Sequence, residues 1–179
     1  MFGLERLASN RIRFVALLGA AIFLLQMPRP VHAETTQKTL LDRIQIEDLM
    51  YNYYTDLMSE QSHDVGKYYV KEGVLQANEL VLKGRDTIRK FFETAKDPRY
   101  VEGAKYNMLL NNPRINVTGD TATFDAVWTG VISDNVKSTP RFIEQGTEHS
   151  EWVKQNGHWL ITKRAITSQG GMPDALADK

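Results

Sequence analysis

Midway along the chain the spacing of apolar residues changes from about 3.6 to about 2, and that change limits the fold more than any motif does. Between Leu41 and Met58, the residues Ile46, Leu49, Met50, Tyr53 and Leu57 recur at helical spacing and form one stripe. Tyr53 lies in the middle of the stripe, Tyr54 and Asp56 at its margins, and Tyr51 and Asn52 face away. HDVGKYYVKEG reads as a second, shorter helix ending at Gly73, and VLQANELVLKG as two short strands about Asn78. RDTIRKFFETA reads as a third helix with Ile88, Phe91 and Phe92 inward. After that YNMLLNNPRINV, TATFDAVWTGVI, RFIEQGTEHSEWVK and HWLITKRAIT alternate as strands, with VTGD and QNG as hairpin turns. Helices first and an antiparallel sheet second specify an α+β domain in which a bent sheet wraps onto helices, and such a sheet commonly leaves a pocket at one end.

The N-terminus follows a different pattern. A charged segment with Glu5, Arg6, Arg11 and Arg13 precedes the apolar run FVALLGAAIFLL, and QMPRPVHA then places Val31 and Ala33 at small positions. This is the three-part form of a secretory signal, and twelve apolar residues fall short of the roughly 20 that span a bilayer. Cleavage is expected after Ala33, with export to the periplasm and no membrane association afterwards. Removing 33 of 179 residues leaves 146, the size of one domain with one core. The core is expected over about 41–168, with residues 169–179 a loose tail.

The leader holds four Arg and one Glu of the chain's 22 basic and 22 acidic residues, so the remainder has 18 and 21, a formal charge of −3. A weakly acidic surface argues against a nucleic-acid partner, whose phosphates require a basic patch. The chain has no Cys, which excludes disulfides, thiol catalysis and thiolate metal sites. No spacing of His with carboxylates forms a metal motif, so a site without cofactor or metal is the simpler expectation.

The segments IQIEDLMYNYY, KEGVL, KGRDTIRKFF, NNPRINVTGDTATF and NGHWLITKR, in that order over about 44–168, resemble the SnoaL-like branch of the nuclear-transport-factor-2-like superfamily. The resemblance implies a cone-shaped α+β barrel, its N-terminal helices packed on a strongly curved, mainly antiparallel sheet that encloses a hydrophobic pocket. Relatives include ketosteroid isomerases, dehydratases, dehydrochlorinases, polyketide cyclases and formaldehyde lyases, while others only bind or assemble. Relatives also form dimers or trimers, so a homodimer or homotrimer is expected. The catalytic Asp and His of the best-known members fall here on Met58 and Met108, soft apolar side chains that move no proton. The usual Asp/His mechanism therefore does not transfer.

Other groups must then carry the chemistry. On the last strand Trp159, Ile161 and Lys163 share one face, and Leu160, Thr162, Arg164 and Ile166 the other, so one of two adjacent cations faces the pocket. Arg164 is the candidate, because its spacing from Trp159 matches a basic residue that some lyases of this branch place in the cavity; a rim ion pair, or Lys163 inside, is the alternative. A buried Arg would hold a carboxylate, phenolate or developing oxyanion. Tyr53 occupies a position where relatives carry a cavity-facing Tyr or Lys, and is either an acid or a packed core aromatic.

Asp125 becomes a candidate base if Thr121, Thr123, Asp125 and Val127 line the pocket, and a solvated charge if Ala122, Phe124, Ala126 and Trp128 do. His149 is the best base by intrinsic pKa, or else a solvated His on an amphipathic strand; Glu144, Glu148 and Ser150 share the face opposite to it. Asn107, Asn111 and Asn112 either orient an oxygenated substrate or belong to the approach to a strand. Tyr54, Met58, Met108, Asn111, Trp128 and Ile166 are expected to contact substrate. Arg164→Ala is expected to leave the fold intact and slow turnover at least about tenfold. The resulting expectation is a cofactor-free lyase or isomerase that moves a proton on a hydrophobic, aromatic small molecule, eliminating water or formaldehyde or shifting a double bond. The alternative is a non-catalytic periplasmic binding or assembly module.

Overall fold

Thr36 sets the start of α1 (Gln37–Leu57). Its hydroxyl accepts from the Thr39 backbone N–H while the Thr39 hydroxyl accepts from the Thr36 N–H, a capping box that satisfies two otherwise unpaired donors. The computed structural model describes residues 35–59, 64–94 and 103–169, so the expected leader and the tail beyond Gln169 lie outside the described residues. Along α1 the apolar stripe packs inward, with Ile46, Met50, Tyr53 and Tyr54 buried and Leu49 and Leu57 partly covered.

The next segment departs from the expected helix. Val65–Tyr68 make one 3-10 turn, and Tyr69–Ala77 form a strand, β1. Residues 74–77 pair antiparallel with β2 (Leu80–Lys83) and parallel with the last strand of the chain, so partners distant in sequence override the local spacing. The strand pair about Asn78 forms as expected, with Asn78 at φ 50° in the turn. α2 (Arg85–Thr94) follows, burying Ile88 and half-burying Phe91 and Phe92.

The four alternating segments become β3 (Lys105–Thr118), β4 (Thr121–Ser133), β5 (Arg141–Gln155) and β6 (His158–Ser168). Strand order is β2-β1-β6-β5-β4-β3, and every neighbouring pair is antiparallel except β1 with β6. β2 and β3 are the edges, so the sheet is not closed. At the β5–β6 hairpin Asn156 and Gly157 take φ of 51° and 83°, the two positive values that a type I′ turn requires.

Register shifts interrupt β1, β3, the β4–β5 ladder and the β5–β6 ladder, and such bulges bend a sheet around what it covers. Asn112-Pro113 is one of them, a bulge inside a single 14-residue strand with Asn112 at φ 50°. Another decides the faces of β6. Trp152 pairs with Ile161 and Glu151 with Lys163, which leaves Thr162 as the extra residue, its hydroxyl donating to the Glu151 carbonyl at 3.0 Å. Strict alternation from Trp159 and Ile161 would have turned Lys163 inward; after the bulge Lys163 is exposed and Arg164 is inside.

α1 and α2 cover one face of the sheet, and the core forms there from Ile46, Met50, Tyr53 and Ile88 of the helices with Leu75, Phe124, Trp152 and Ile161 of the strands. Both ends of α1 are tied down. Asp42 accepts from Lys154 Nζ at 2.6 Å and from Trp159 Nε1 at 2.9 Å, and Arg43 donates to the Ile115 carbonyl. At the other end Asp56 accepts from Lys67 Nζ at 2.6 Å and from Tyr68 Oη at 2.7 Å. No helix among the described residues is long and apolar enough to cross a membrane.

Candidate functional site

Strand pairing brings one set of side chains together on the covered face: Ala126 of β4 lies opposite Glu148 of β5, which lies opposite Ile166 of β6. Beside them Ser150 pairs with Arg164, and Arg164 with Leu75 of β1. Arg164 is 0% exposed and Glu148 is 3% exposed. They make a two-point ion pair, Nε to Oε1 and Nη2 to Oε2, both at 2.8 Å. Tyr54 of α1 closes the cluster: its hydroxyl accepts from Arg164 Nη2 at 2.6 Å and donates to Glu148 Oε2 at 2.5 Å. The guanidinium also lies 4.1 Å from the centre of the Tyr53 ring and 5.0 Å from that of Tyr54, within cation–π range. The Tyr53 and Tyr69 hydroxyls meet at 3.4 Å.

Tyr54, Tyr69 and Arg164 keep their protonation states over the whole ordinary pH range. Burial pushes the Tyr54 phenol well up, against the attraction of Arg164 and with the help of Glu148, so it stays a neutral donor. Burial raises Tyr69 as well. For Arg164 burial alone would lower the pKa, but Glu148 and the tyrosine oxygens more than offset it and hold the charge in place.

A second polar group lies on the same face, four residues further along β4 and β5. Tyr106 of β3 donates its hydroxyl to Glu144 Oε1 at 2.6 Å, and the Ser168 hydroxyl lies 3.4 Å from Oε2. The Tyr106 oxygen is also 2.7 Å from Met108 Sδ, but its one proton goes to the carboxylate, the stronger acceptor. The backbone N–H of Met108 in turn donates to Met58 Sδ at 3.0 Å, so the two methionines meet where α1 ends against β3. Glycines make room for these side chains. A Cβ on Gly130, which faces Met108 and Glu144, would come within 2.8 Å of the Tyr106 hydroxyl; one on Gly146, opposite Trp128, would come within 2.4 Å of the indole. Trp128 is 3% exposed, and its Nε1 has no acceptor among the described residues.

Of the residues singled out in the sequence, Tyr53, Tyr54, Met58, Met108, Trp128, Arg164 and Ile166 all lie on the covered side. Asp125, His149 and Asn111 do not. Asp125 Oδ1 and His149 Nδ1 pair with each other at 2.7 Å, but their side chains are 47% and 48% exposed on the opposite face of β4 and β5. The cause is the alternation that buries Ala122, Phe124, Ala126 and Trp128, which leaves the other set of β4 outside. Asn111 pairs with Val127 on that outer face and donates to Thr129 Oγ1 at 3.2 Å, so it is not placed to contact a ligand within.

The residues that sequence reasoning passed over are Glu144, Glu148, Tyr69, Tyr106 and Ser168. A signal for the two glutamates was available, since Glu144, Gly146, Glu148, Ser150 and Trp152 share a face and a Trp at its end marks that face as inner. Tyr69 was hidden by the expected helix. Elsewhere, a groove of about 250 Å³ opens between α1 and the β5–β6 turn, lined by Gln45, Asp48, Asn52 and His158 among others, but it is separate from both buried clusters. Among the described residues no group of three or more His, Asp or Glu side chains is arranged to hold a metal ion.

Helices laid over one face of an open, bulged sheet, with ionisable and hydroxyl groups buried between the layers, define the nuclear-transport-factor-2-like class of α+β domains. The chain belongs to the SnoaL-like domain family, whose model matches residues 38–165; the family includes small-molecule cyclases and isomerases. No curated protein matches it. Among solved structures it is similar to an NTF2-like protein with a cystatin-like fold from Novosphingobium aromaticivorans, at 20% identity and a TM-score of 0.62, over 78% of this chain and 90% of that one. A cystatin-like-fold protein of unknown function from Nostoc punctiforme is similar at 21% identity and a TM-score of 0.61, over 75% and 96%. ActVI-ORFA from Streptomyces coelicolor is similar at 11% identity and a TM-score of 0.62, over 71% and 96%. At these identities the likeness is one of fold.

Proposed function

We propose that this domain is a cofactor-free enzyme of the lyase or isomerase type, moving a proton on a hydrophobic, oxygen-bearing small molecule held between the helices and the covered face of the sheet. The observation that carries the proposal is the burial of two carboxylates, an arginine and several tyrosine hydroxyls on that one face. A buried ion pair contributes little net stability compared with apolar packing, so a core that keeps one has a use for its charge.

Roles follow from the hydrogen bonds. Glu148 is bound at both oxygens by Arg164, which leaves it a poor proton acceptor. Glu144, held by Tyr106 and Ser168, is the group that takes up and returns the proton. Arg164 with Tyr54 supplies a fixed positive pole toward which negative charge on a substrate oxygen develops. Met58, Met108 and Ile166 supply apolar surface.

A binding module is the second reading, and one observation favours it: Arg164 already bonds Glu148 and Tyr54, as a purely structural ion pair would. Incubation of the protein with hydroxylated aromatics and sterols, followed by ultraviolet absorbance, separates the two. New absorbance dependent on the protein supports the enzyme. Ligand-dependent rises in melting temperature without any turnover support the binder. Export and self-association as a dimer or trimer are part of the proposal, read from the leader and the resemblance; N-terminal sequencing of the secreted protein is expected to start at Glu34.

A further inference from the structure

The chain has three tryptophans, and their indole N–H groups are treated differently. Trp152 Nε1 donates to Ser150 Oγ at 2.9 Å, and Trp159 Nε1 donates to Asp42 Oδ1 at 2.9 Å. Trp128 is as buried as either, yet its Nε1 finds no acceptor among the described residues. An indole nitrogen is a donor only, and leaving a buried donor unmade is destabilising, so such a group normally has a partner.

Its position makes the exception informative. Trp128 stands on the covered face of β4 opposite Gly146, where the nearest ring atoms to a Cβ added on that glycine would be Cζ2 at 2.4 Å and Cε2 at 2.6 Å. Cε2 is bonded to the nitrogen, so the edge of the ring next to Nε1 packs over Gly146 of β5. The next inward pair along the same two strands is Gly130 with Glu144, which makes Glu144 a diagonal neighbour of Trp128. Both glycines are needed for the ring and the carboxylate to lie this close to the sheet. A donor without an acceptor among the described residues thus stands one inward position along the ladder from a carboxylate already supplied with donors by Tyr106 and Ser168.

We infer that Trp128 Nε1–H is the oxygen-recognising group of the site, and that the ligand presents a carbonyl or similar acceptor oxygen to it with the adjoining carbon toward Glu144. This rests on the proposed function and narrows its substrate class to apolar ketones and their relatives. Trp128 is then a specificity-determining residue, separating carbonyl compounds from hydrocarbons of the same shape.

The test follows the indole N–H proton resonances while the protein is titrated with α-tetralone, a bicyclic ketone, and with tetralin, the same skeleton without oxygen. The Trp128 signal is assigned by its loss in Trp128→Phe. Saturable binding of α-tetralone that moves the Trp128 resonance downfield, no such shift with tetralin, and binding of the ketone about tenfold weaker in Trp128→Phe support the inference. α-Tetralone binding without a shift at Trp128, or with a shift equal to that from tetralin, overturns it while leaving the proposed function standing. A Trp128 signal already at a hydrogen-bonded position in the free protein and unmoved by ligand also overturns it. If neither probe binds, the inference is overturned, and the proposed function stands or falls on its own absorbance screen.

Discussion

At the scale of single residues the Arg164–Glu148 pair dominates. Its two charges are removed from water, and removing one partner strands the other, which costs about 3–5 kcal/mol. Arg164→Ala and Glu148→Ala are therefore each expected to lower stability by that amount in denaturant unfolding, contrary to the sequence-based expectation that Arg164→Ala leaves the fold intact. The double variant Arg164→Met/Glu148→Leu is expected to recover most of the loss, because it strands no charge. A double variant as unstable as the sum of the two single variants would show that the pair is not the coupled unit the 2.8 Å contacts describe. Arg164 was legible as a candidate because a cation next to Lys163 on a strand must face one way or the other. Its partner was not, because nothing in EQGTEHSEW says which of its two faces meets the helices until Trp152 is given a side.

At the scale of elements the bulge at Thr162 determines which cation is inside. Deleting Thr162 removes the extra residue and leaves Lys163 outside and Arg164 inside in a regular strand. The deletion is expected to fold, at a cost of about 1 kcal/mol for the lost bond to Glu151, and Glu148→Ala in that background is expected to remain as damaging as in the parent. If Glu148→Ala became neutral there, Arg164 would have left the covered face and the one-residue account of the bulge would fail. The helix stripe of α1, the helix at Arg85–Thr94 and the four long strands were readable from period alone, because each buries one face against a layer. β1 was readable only in part. Tyr69 and Val74–Ala77 find their parallel partners on β6, about ninety residues away, and no local pattern encodes a parallel pairing. Bulges are unreadable for a related reason, since alternation describes a strand without them, and in β6 it puts Lys163 on the face of Trp159 and Ile161.

At the scale of the whole molecule α1 holds the helical layer to the sheet through a carboxylate at each end. Asp42 is held below its ordinary value of 3.8 by the hydrogen bond from Lys154, against burial and with the help of Trp159. Burial would raise Asp56, but Lys67 and Tyr68 outweigh it and the net shift is again downward from 3.8. Depressed values in the folded state mean that these contacts stabilise fully above about pH 3.8 and are lost as pH falls through the folded-state values. Asp42→Asn is thus expected to be less stable than the parent near neutrality, and the two unfolding curves are expected to converge at low pH; a difference that persists unchanged in acid would remove Asp42 from this role. With the layers held in this way, the polar groups between them are fixed for chemistry. The decisive measurement is turnover of a substrate found in the absorbance screen by Glu144→Gln, a change that keeps an acceptor for Tyr106 but no longer carries a proton. A loss of at least about a hundredfold in kcat with the melting temperature and ligand binding retained is the expected result, the size of a missing general base. A Glu144→Gln protein that turns over at the parent rate would contradict it.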